Sequence, residues 1–250
     1  MTRLTIIATR LTLLALVLIA WDALPRLGAV DARMLPPLGD VLAMLVDLLG
    51  RPKVLEAIGV SAGEFAVAFA IAIPLGAAIG IAIAESDYLG EIFKPMLFYV
   101  FSVPKSIFLP MFILAFGIGF QQKVAYAAFS TIFIVIMTAS AAVESVKPVH
   151  LLVARSYGAT RAQVIGRVYL PSMMPVLLEA LRLSMIFNFT GVLIAEMYAS
   201  RTGIGQLMAN WGESFQLRQL FAGALLLATV AVLLNETIRW LEGRCSAWRH

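Results

Sequence analysis

The uncharged run FAVAFAIAIPLGAAIGIAIA, residues 65–84, lies between Glu64 and Glu85 and decides the fold class. A second uncharged run, VAYAAFSTIFIVIMTASAAV, covers residues 124–143. An α-helix crosses the roughly 30 Å hydrocarbon core of a bilayer with about 20 residues, which is the length of both runs. Since the backbone polar groups of a spanning segment must be satisfied internally in lipid, we predict an all-α, polytopic membrane protein.

The composition of the 250-residue chain supports this class. It is 61% hydrophobic and 14% charged, whereas soluble domains average roughly 45–50% apolar and about 25% charged residues. So few charges exclude an ordinary soluble enzyme, a disordered chain and a nucleic-acid-binding domain, and we expect no nucleic-acid partner. The only cysteine is Cys245 and the only histidines are His150 and His250, so we predict no metal site. We also expect no catalytic residues.

The hydropathy pattern predicts six membrane spans. They are Leu11–Trp21, Phe65–Ala84, Ser106–Gln122, Val124–Val143, Val176–Ala199 and Gln219–Asn235. The first span is interpreted as a retained signal-anchor helix, with a cleaved signal peptide as the alternative. An amphipathic helix is predicted over Pro37–Gly59 at the outer surface. Residues 1–60 therefore form an N-terminal segment, and residues 61–244 form one transmembrane domain.

The orientation follows from the basic residues. The loop between Glu144 and Pro171 carries four Lys or Arg residues and no acid. Because short basic loops stay on the cytoplasmic side, this loop is predicted to be cytoplasmic. With six spans, both termini are then cytoplasmic as well, in the plasma membrane of a bacterium.

The same loop, residues 150–171, is predicted to form a helix–turn–helix. Gly158 is placed to end a first helix in the left-handed conformation. Thr160 is placed to cap a second helix, and Gln163 completes a capping box three residues later. Pro171 is expected to end that second helix. A simple connector would not need two caps.

Three sequence blocks resemble the membrane permeases of ATP-binding-cassette importers. The stretch from Ala154 to Pro171 is similar to the "EAA" loop of that family. It reads Ala154-x-x-x-Gly158, then nine residues, then Val168-x-Leu170-Pro171. SVPKSIFLP at residues 102–110 and AEMYASRTGIG at residues 195–205 resemble its nitrate, sulfonate, taurine and bicarbonate branch. The chain departs from the family pattern at Leu152, where the family has its leading glutamate, so the loop is expected to be tethered to its ATPase differently.

The resemblance implies a type I importer permease fold and a set of partners. These are a second permease copy, two cytoplasmic ATPase subunits and an external or periplasmic substrate-binding protein. ATP would be bound by the ATPase, because this chain has no Gly-x-x-x-x-Gly-Lys phosphate loop. Residues 150–171, which we name the coupling loop, would dock the ATPase. The residues expected to carry this contact are Ala154, Arg155, Ser156, Tyr157, Gly158, Ala159, Thr160, Gln163, Leu170 and Pro171.

Polar and small residues within the spans are candidates for the translocation path, because polar groups in lipid face the interior of a helix bundle. They are Thr131, Thr138, Ser184, Asn188, Gly191 and Lys105. The alternative for the first five is contact between helices in a static interface, and for Lys105 it is snorkelling. The substrate expected from the resemblance is a small anion such as an alkanesulfonate, taurine or nitrate. A gradient-driven secondary transporter or channel is the alternative function.

Overall fold

The computed structural model describes residues 3–246, and its regular structure is helical. In chain order the α-helices are α1 (Arg3–Arg26), α2 (Leu38–Leu49), α3 (Pro52–Ala84), α4 (Asp87–Ser102), α5 (Leu109–Phe116), α6 (Phe120–Glu144), α7 (Pro148–Ser156), α8 (Arg161–Val164), α9 (Leu170–Tyr198), α10 (Ile204–Glu213) and α11 (Leu217–Ser246). A 3₁₀ turn, Lys105–Phe108, precedes α5, and a π-helical segment, Ile165–Tyr169, joins α8 to α9.

The core of the bundle consists of α3, α6 and α9. Small residues bring α3 and α6 into close contact, because a Cβ atom built on Gly80 would overlap the backbone oxygen of Ile136 and lie 2.9 Å from Cβ of Ala139. One turn earlier, a Cβ atom on Gly76 would lie 2.7 Å from Cβ of Val135. Such spacing of small residues lets membrane helices pack backbone to backbone.

We expect Gly80→Ala to destabilise the protein by about 1–3 kcal/mol, the usual cost of adding a methyl group to a filled interface. The thermal midpoint of the detergent-purified protein measures this loss. Gly59→Ala is the matched control, because Gly59 lies in the same helix and a Cβ atom there would meet nothing within 4 Å. An equal loss in both variants would contradict the close packing of α3 on α6.

The membrane spans agree with the predicted number but not with every boundary. Within residues 3–246, five helical segments are long and apolar enough to cross a membrane, and a bent pair of helices makes a sixth. The pair consists of Asp87–Ser102 and Lys105–Phe116, with an angle of 85° between the two parts. The bounds predicted for this span, Ser106–Gln122, are therefore wrong, because the span begins in α4 and ends at Phe116. Gly117 stops the second part with φ of 71°, and the residues after Gly119 already belong to α6.

The N-terminal region also differs from the prediction. α1 is longer than the predicted Leu11–Trp21 and runs to Arg26. The amphipathic helix predicted over Pro37–Gly59 is wrong in extent, because Gly50 and Arg51 interrupt it and Pro52 starts α3. Pro at a first helical position favours a new helix start. α2 does not lie free on a surface, because its buried Val41 and Leu48 join the apolar cluster formed with α10 and α11.

The bundle has two distinct ends, named here after α10 and α7. At the α10 end, the ring of Trp21 in α1 lies 5.6 Å from that of Phe221 in α11. At the α7 end, Lys94 of α4 forms an ion pair of 2.7 Å with Glu144 of α6. Since α1 ends and α11 begins at the α10 end, both described chain ends extend toward the α7 end.

Candidate functional site

The turn between α7 and α8 is built as the sequence predicts. Gly158 has φ of 71°, in the left-handed region that glycine adopts without a Cβ penalty. The backbone N–H of Ala159 donates to the carbonyl of Ala154 at 3.1 Å, and that of Tyr157 donates to the carbonyl of Val153 at 3.1 Å. The first of these bonds is the six-to-one bond of a Schellman cap. It ends α7 at a defined angle to the helix that follows.

The second helix begins with the predicted capping box. The backbone N–H of Thr160 donates to Oε1 of Gln163 at 2.9 Å, and the backbone N–H of Gln163 donates to Oγ1 of Thr160 at 3.3 Å. The prediction that Pro171 ends this helix is wrong. The chain stays helical from α8 through the π-helical segment into α9, and Leu170 donates its N–H to the carbonyl of Ile165. The wider π turn accommodates a proline that would otherwise clash with the preceding turn.

The coupling loop is fixed to two core helices by apolar contacts. A buried cluster is covered by Leu151 of α7 and by two residues of the π-helical segment, Val168 and Tyr169. That cluster contains Ala142 of α6, the adjoining Val146, and Met173 of α9. The coupling loop is therefore packed directly against α6 and α9.

The outer face of α7, with the adjoining Tyr157, is apolar and exposed. Val149, Leu152, Val153 and Tyr157 have exposed fractions of 55%, 68%, 49% and 88%. Ser156, Thr160, Gln163 and Leu170 are also exposed, whereas Ala154 and Ala159 are half-buried. Arg155 belongs to α7, but its side chain lies outside the described part of the structure. Leu152, at the position where the family pattern has an acid, is thus the centre of an apolar patch on α7.

Two of the candidate path residues hold helices together within one chain. Thr131 and Asn188 are fully buried. Oγ1 of Thr131 lies 2.8 Å from the carbonyl oxygen of Ala127 and 3.3 Å from Oδ1 of Asn188. Nδ2 of Asn188 donates to the carbonyl of Phe65 at 2.8 Å. In this conformation these residues join α3, α6 and α9, and their role in a path stays a prediction.

The other three small or hydroxyl-bearing candidates lie beside them. Gly191 approaches α6 closely, because a Cβ atom there would lie 3.1 Å from Cα of Ala127. Thr138 and Ser184 border a cleft of about 200 Å³ between α3, α6 and α9. Oγ of Ser184 is buried and has no hydrogen-bond partner among the described residues. The cleft is otherwise lined by apolar side chains.

Lys105 closes the C-terminal end of α4. Its ammonium donates to the carbonyls of Val100, Phe101 and Val103 at 2.7, 2.9 and 2.8 Å. A cation at this end of a helix complements the helix dipole. Since an ammonium has three donors, Lys105 here stabilises the bend between α4 and α5 and offers no donor to an anion.

Three buried charges at the α10 end were not predicted as a site. Lys123 of α6 forms an ion pair with Glu64 of α3, and Glu196 of α9 lies in the same cluster. Their exposed fractions are 1%, 0% and 0%. We name Glu64, Lys123 and Glu196 the charged network. The sequence places each of them at the edge of a predicted span, where charges are ordinary, so no local signal indicates that they meet.

Hydrogen bonds extend the charged network to the backbone. Oγ of Ser61 donates to Oε1 of Glu196 at 2.6 Å, and the backbone N–H of Gly205 donates to Oε2 at 2.8 Å. Lys123 donates to the carbonyl of Thr202 at 3.2 Å. Among the residues that the structure describes, no group of three His, Cys, Asp or Glu side chains could hold a metal ion.

Comparison with solved structures identifies the fold. The fold matches the inward-facing MetNI methionine ABC transporter in two crystal forms, with TM-scores of 0.64 and 0.62 at 19% and 17% identity. The matches cover 79% and 82% of this chain and 96% and 97% of the solved chains. The fold is that of a type I importer permease.

The chain belongs to the family "Binding-protein-dependent transport system inner membrane component", whose model matches residues 72–246. It is 30% identical over 240 residues to the taurine transport system permease protein TauC of Escherichia coli, covering 94% of this chain and 87% of the relative. It is 28% identical over 240 residues to the putative aliphatic sulfonates transport permease protein SsuC of Bacillus subtilis, with 96% and 87% coverage.

These matches confirm the resemblance drawn from the three sequence blocks. The chain is the permease subunit of an ATP-binding-cassette importer, a multi-pass membrane protein and a transport component rather than an enzyme. The gradient-driven alternative is not favoured.

Proposed function

We propose that two copies of this chain form the translocation path of an ATP-driven uptake system for small organic sulfonates. The observation that carries the proposal is the coupling loop, which exposes an apolar face on α7 while its other side is packed on α6 and α9. Exposed apolar patches on a protein mark interaction surfaces, and the protein partner here is an ATPase that binds the ATP.

The mechanism follows from how the coupling loop is attached. ATP-driven closure of two ATPase subunits brings the two α7 helices together. Because the capped turn at Gly158 and the packing of Leu151 fix α7 to the core, α6 and α9 move with it. This motion opens the path toward the external side, and hydrolysis resets it. In this scheme the α7 end and both chain ends face the cytoplasm of a bacterium, and the α10 end receives an external binding protein.

The substrate class rests on the relatives. Permeases for taurine and for aliphatic sulfonates match this chain over nearly its whole length. Both substrates carry a sulfonate group on a small alkyl chain, so we propose taurine or a related alkanesulfonate as the transported substrate. Nitrate, which lacks the alkyl chain, serves as the competing anion in the uptake experiment.

The experiment is uptake of radiolabelled taurine by proteoliposomes that contain the purified complex, its ATPase and its binding protein. We expect uptake only with ATP on the α7 side, and strong competition by excess ethanesulfonate but not by nitrate. Competition by nitrate without competition by ethanesulfonate would contradict the sulfonate assignment. Uptake by this chain alone without ATP would contradict the importer mechanism.

A further inference from the structure

Residues 202–205, which lead from α9 into the first turn of α10, are held to the core helices at three points. The ammonium of Lys123 in α6 donates a hydrogen bond to the carbonyl of Thr202. Oγ of Ser61 in α3 accepts one from the backbone N–H of Ile204, and the carboxylate of Glu196 in α9 accepts one from the backbone N–H of Gly205. The three anchoring side chains come from three different core helices. The start of α10 is therefore bound to all three core helices at once.

The backbone of this segment lies directly against Glu196. A Cβ atom on Gly203 would overlap the Glu196 carboxylate, and one on Gly205 would lie 2.8 Å from Cβ of Glu196. Gly203 also has φ of 109°, a conformation that other residues rarely adopt. The pair Gly203 and Gly205 is thus explained by contact with a buried carboxylate.

α10 has an inner and an outer face. Ile204, Leu207 and Trp211 are buried in the apolar cluster with α2, the start of α3 and α11. Asn210 and Glu213 are exposed on the outside. The inner face alone would hold α10 by apolar contacts, which allow sliding, whereas the charged network holds it by directed bonds.

Breaking these bonds is costly because the groups are buried. A buried carboxylate or ammonium that loses its partners keeps the desolvation penalty without compensation. The network therefore has one favourable arrangement and little freedom to deform. A displacement of α10 therefore displaces the ends of α3, α6 and α9 as well, because the residues that link them do not deform.

We propose that Ser61, Glu64, Lys123 and Glu196 are positioning residues that make α10 and the three core helices move as one body, so that an external protein bound at the α10 end acts on the translocation path. The link to transport rests on the proposed function. The anchoring of α10 does not, and each part has its own measurement.

The test uses Glu196→Gln, which keeps the side-chain volume but leaves one acceptor oxygen instead of two. In a Cys245→Ser background, a spin label on Asn210→Cys reports the motion of α10, and one on Val232→Cys, exposed on α11, is the reference. We expect a severalfold larger mobile fraction at position 210, no change at position 232 and an unchanged amount of folded protein. Glu213→Gln, an exposed carboxylate of α10 itself, should change neither label.

The functional measurement is ATP turnover of the reconstituted complex with and without its binding protein. Glu196→Gln should lose most of the stimulation by the binding protein and keep the unstimulated rate. Stimulation of normal size with a mobile α10 would overturn the transmission of force. An immobile label at position 210 in Glu196→Gln, and also in the Glu64→Gln/Lys123→Met double variant, would overturn the anchoring. If the wild-type complex shows no ATP turnover, the proposed function fails, while the label measurement still decides the anchoring.

Discussion

Gly158→Val is expected to abolish ATP-driven uptake while the protein remains folded in the membrane. Gly158 has φ of 71°, and a left-handed backbone costs an L-residue roughly 1–2 kcal/mol, more when it is β-branched. A Cβ atom there would meet nothing within 4 Å, so the substitution acts on the backbone and not by collision. The turn then relaxes, the Schellman bond to Ala154 is lost, and α7 no longer presents its apolar face at the angle that the ATPase requires. Uptake of labelled taurine and the amount of copurified ATPase measure the effect.

The matched control is Gly158→Asn. Asparagine also adds a side chain at this exposed position, but it tolerates the left-handed conformation. We therefore expect Gly158→Asn to retain ATPase binding and most of the uptake. Equal losses in both variants would show that the surface at residue 158, and not the turn, is what matters.

The coupling loop can be predicted in detail because its determinants are local. A left-handed glycine, a capping threonine and a glutamine three residues later act over a single helical turn, and the structure reproduces all three at Gly158, Thr160 and Gln163. The prediction for Pro171 fails for a physical reason. Proline breaks a regular α-helix, but the π-helical segment just before it removes the clash, and nothing in the local sequence indicates a π turn.

The spans can be counted from hydropathy but not all delimited. Hydropathy measures how apolar a stretch is and not whether its axis is straight, so Ser106–Gln122 has the profile of one span. The bend of 85° between α4 and α5 lies at Val103 and Pro104, where Lys105 caps the end of α4, and Gly117 with its positive φ ends α5 further along the chain. Only the packed structure shows where the span bends and where it stops.

The charged network cannot be predicted from sequence, because its members lie far apart in the chain. Even Glu196 and Ser61, the serine that bonds to the network, are 135 residues apart in the chain, although they are hydrogen-bonded at 2.6 Å. In a hydropathy profile Glu64, Lys123 and Glu196 merely mark where spans begin or end. The pairing depends on how α3, α6 and α9 are aligned along their axes, which is set by close contacts such as Gly80 against Ile136.

Lys123→Met is expected to destabilise the protein more strongly than Gly80→Ala. It removes the one cation of a cluster with two carboxylates, and Glu64 and Glu196 have no exposed surface through which water could compensate. Removing one partner of a buried pair costs about 3–5 kcal/mol. We expect little folded protein in the membrane and a strongly lowered thermal midpoint for what can be purified.

Two further variants separate the network from a general effect of losing a lysine. Lys94→Met breaks the ion pair with Glu144, whose side chains are 41% and 51% exposed, and should cost at most about 1 kcal/mol. Glu64→Gln/Lys123→Met removes both members of the buried pair, so it should recover much of the loss, because no unpaired charge remains at Glu64. If the double variant is as unstable as Lys123→Met, the loss comes from the methionine itself or from the missing bond to Thr202. Recovery of folded protein in the double variant would instead show that the unpaired carboxylate is the cause, and that the α10 end is built around a charge balance as well as around apolar packing.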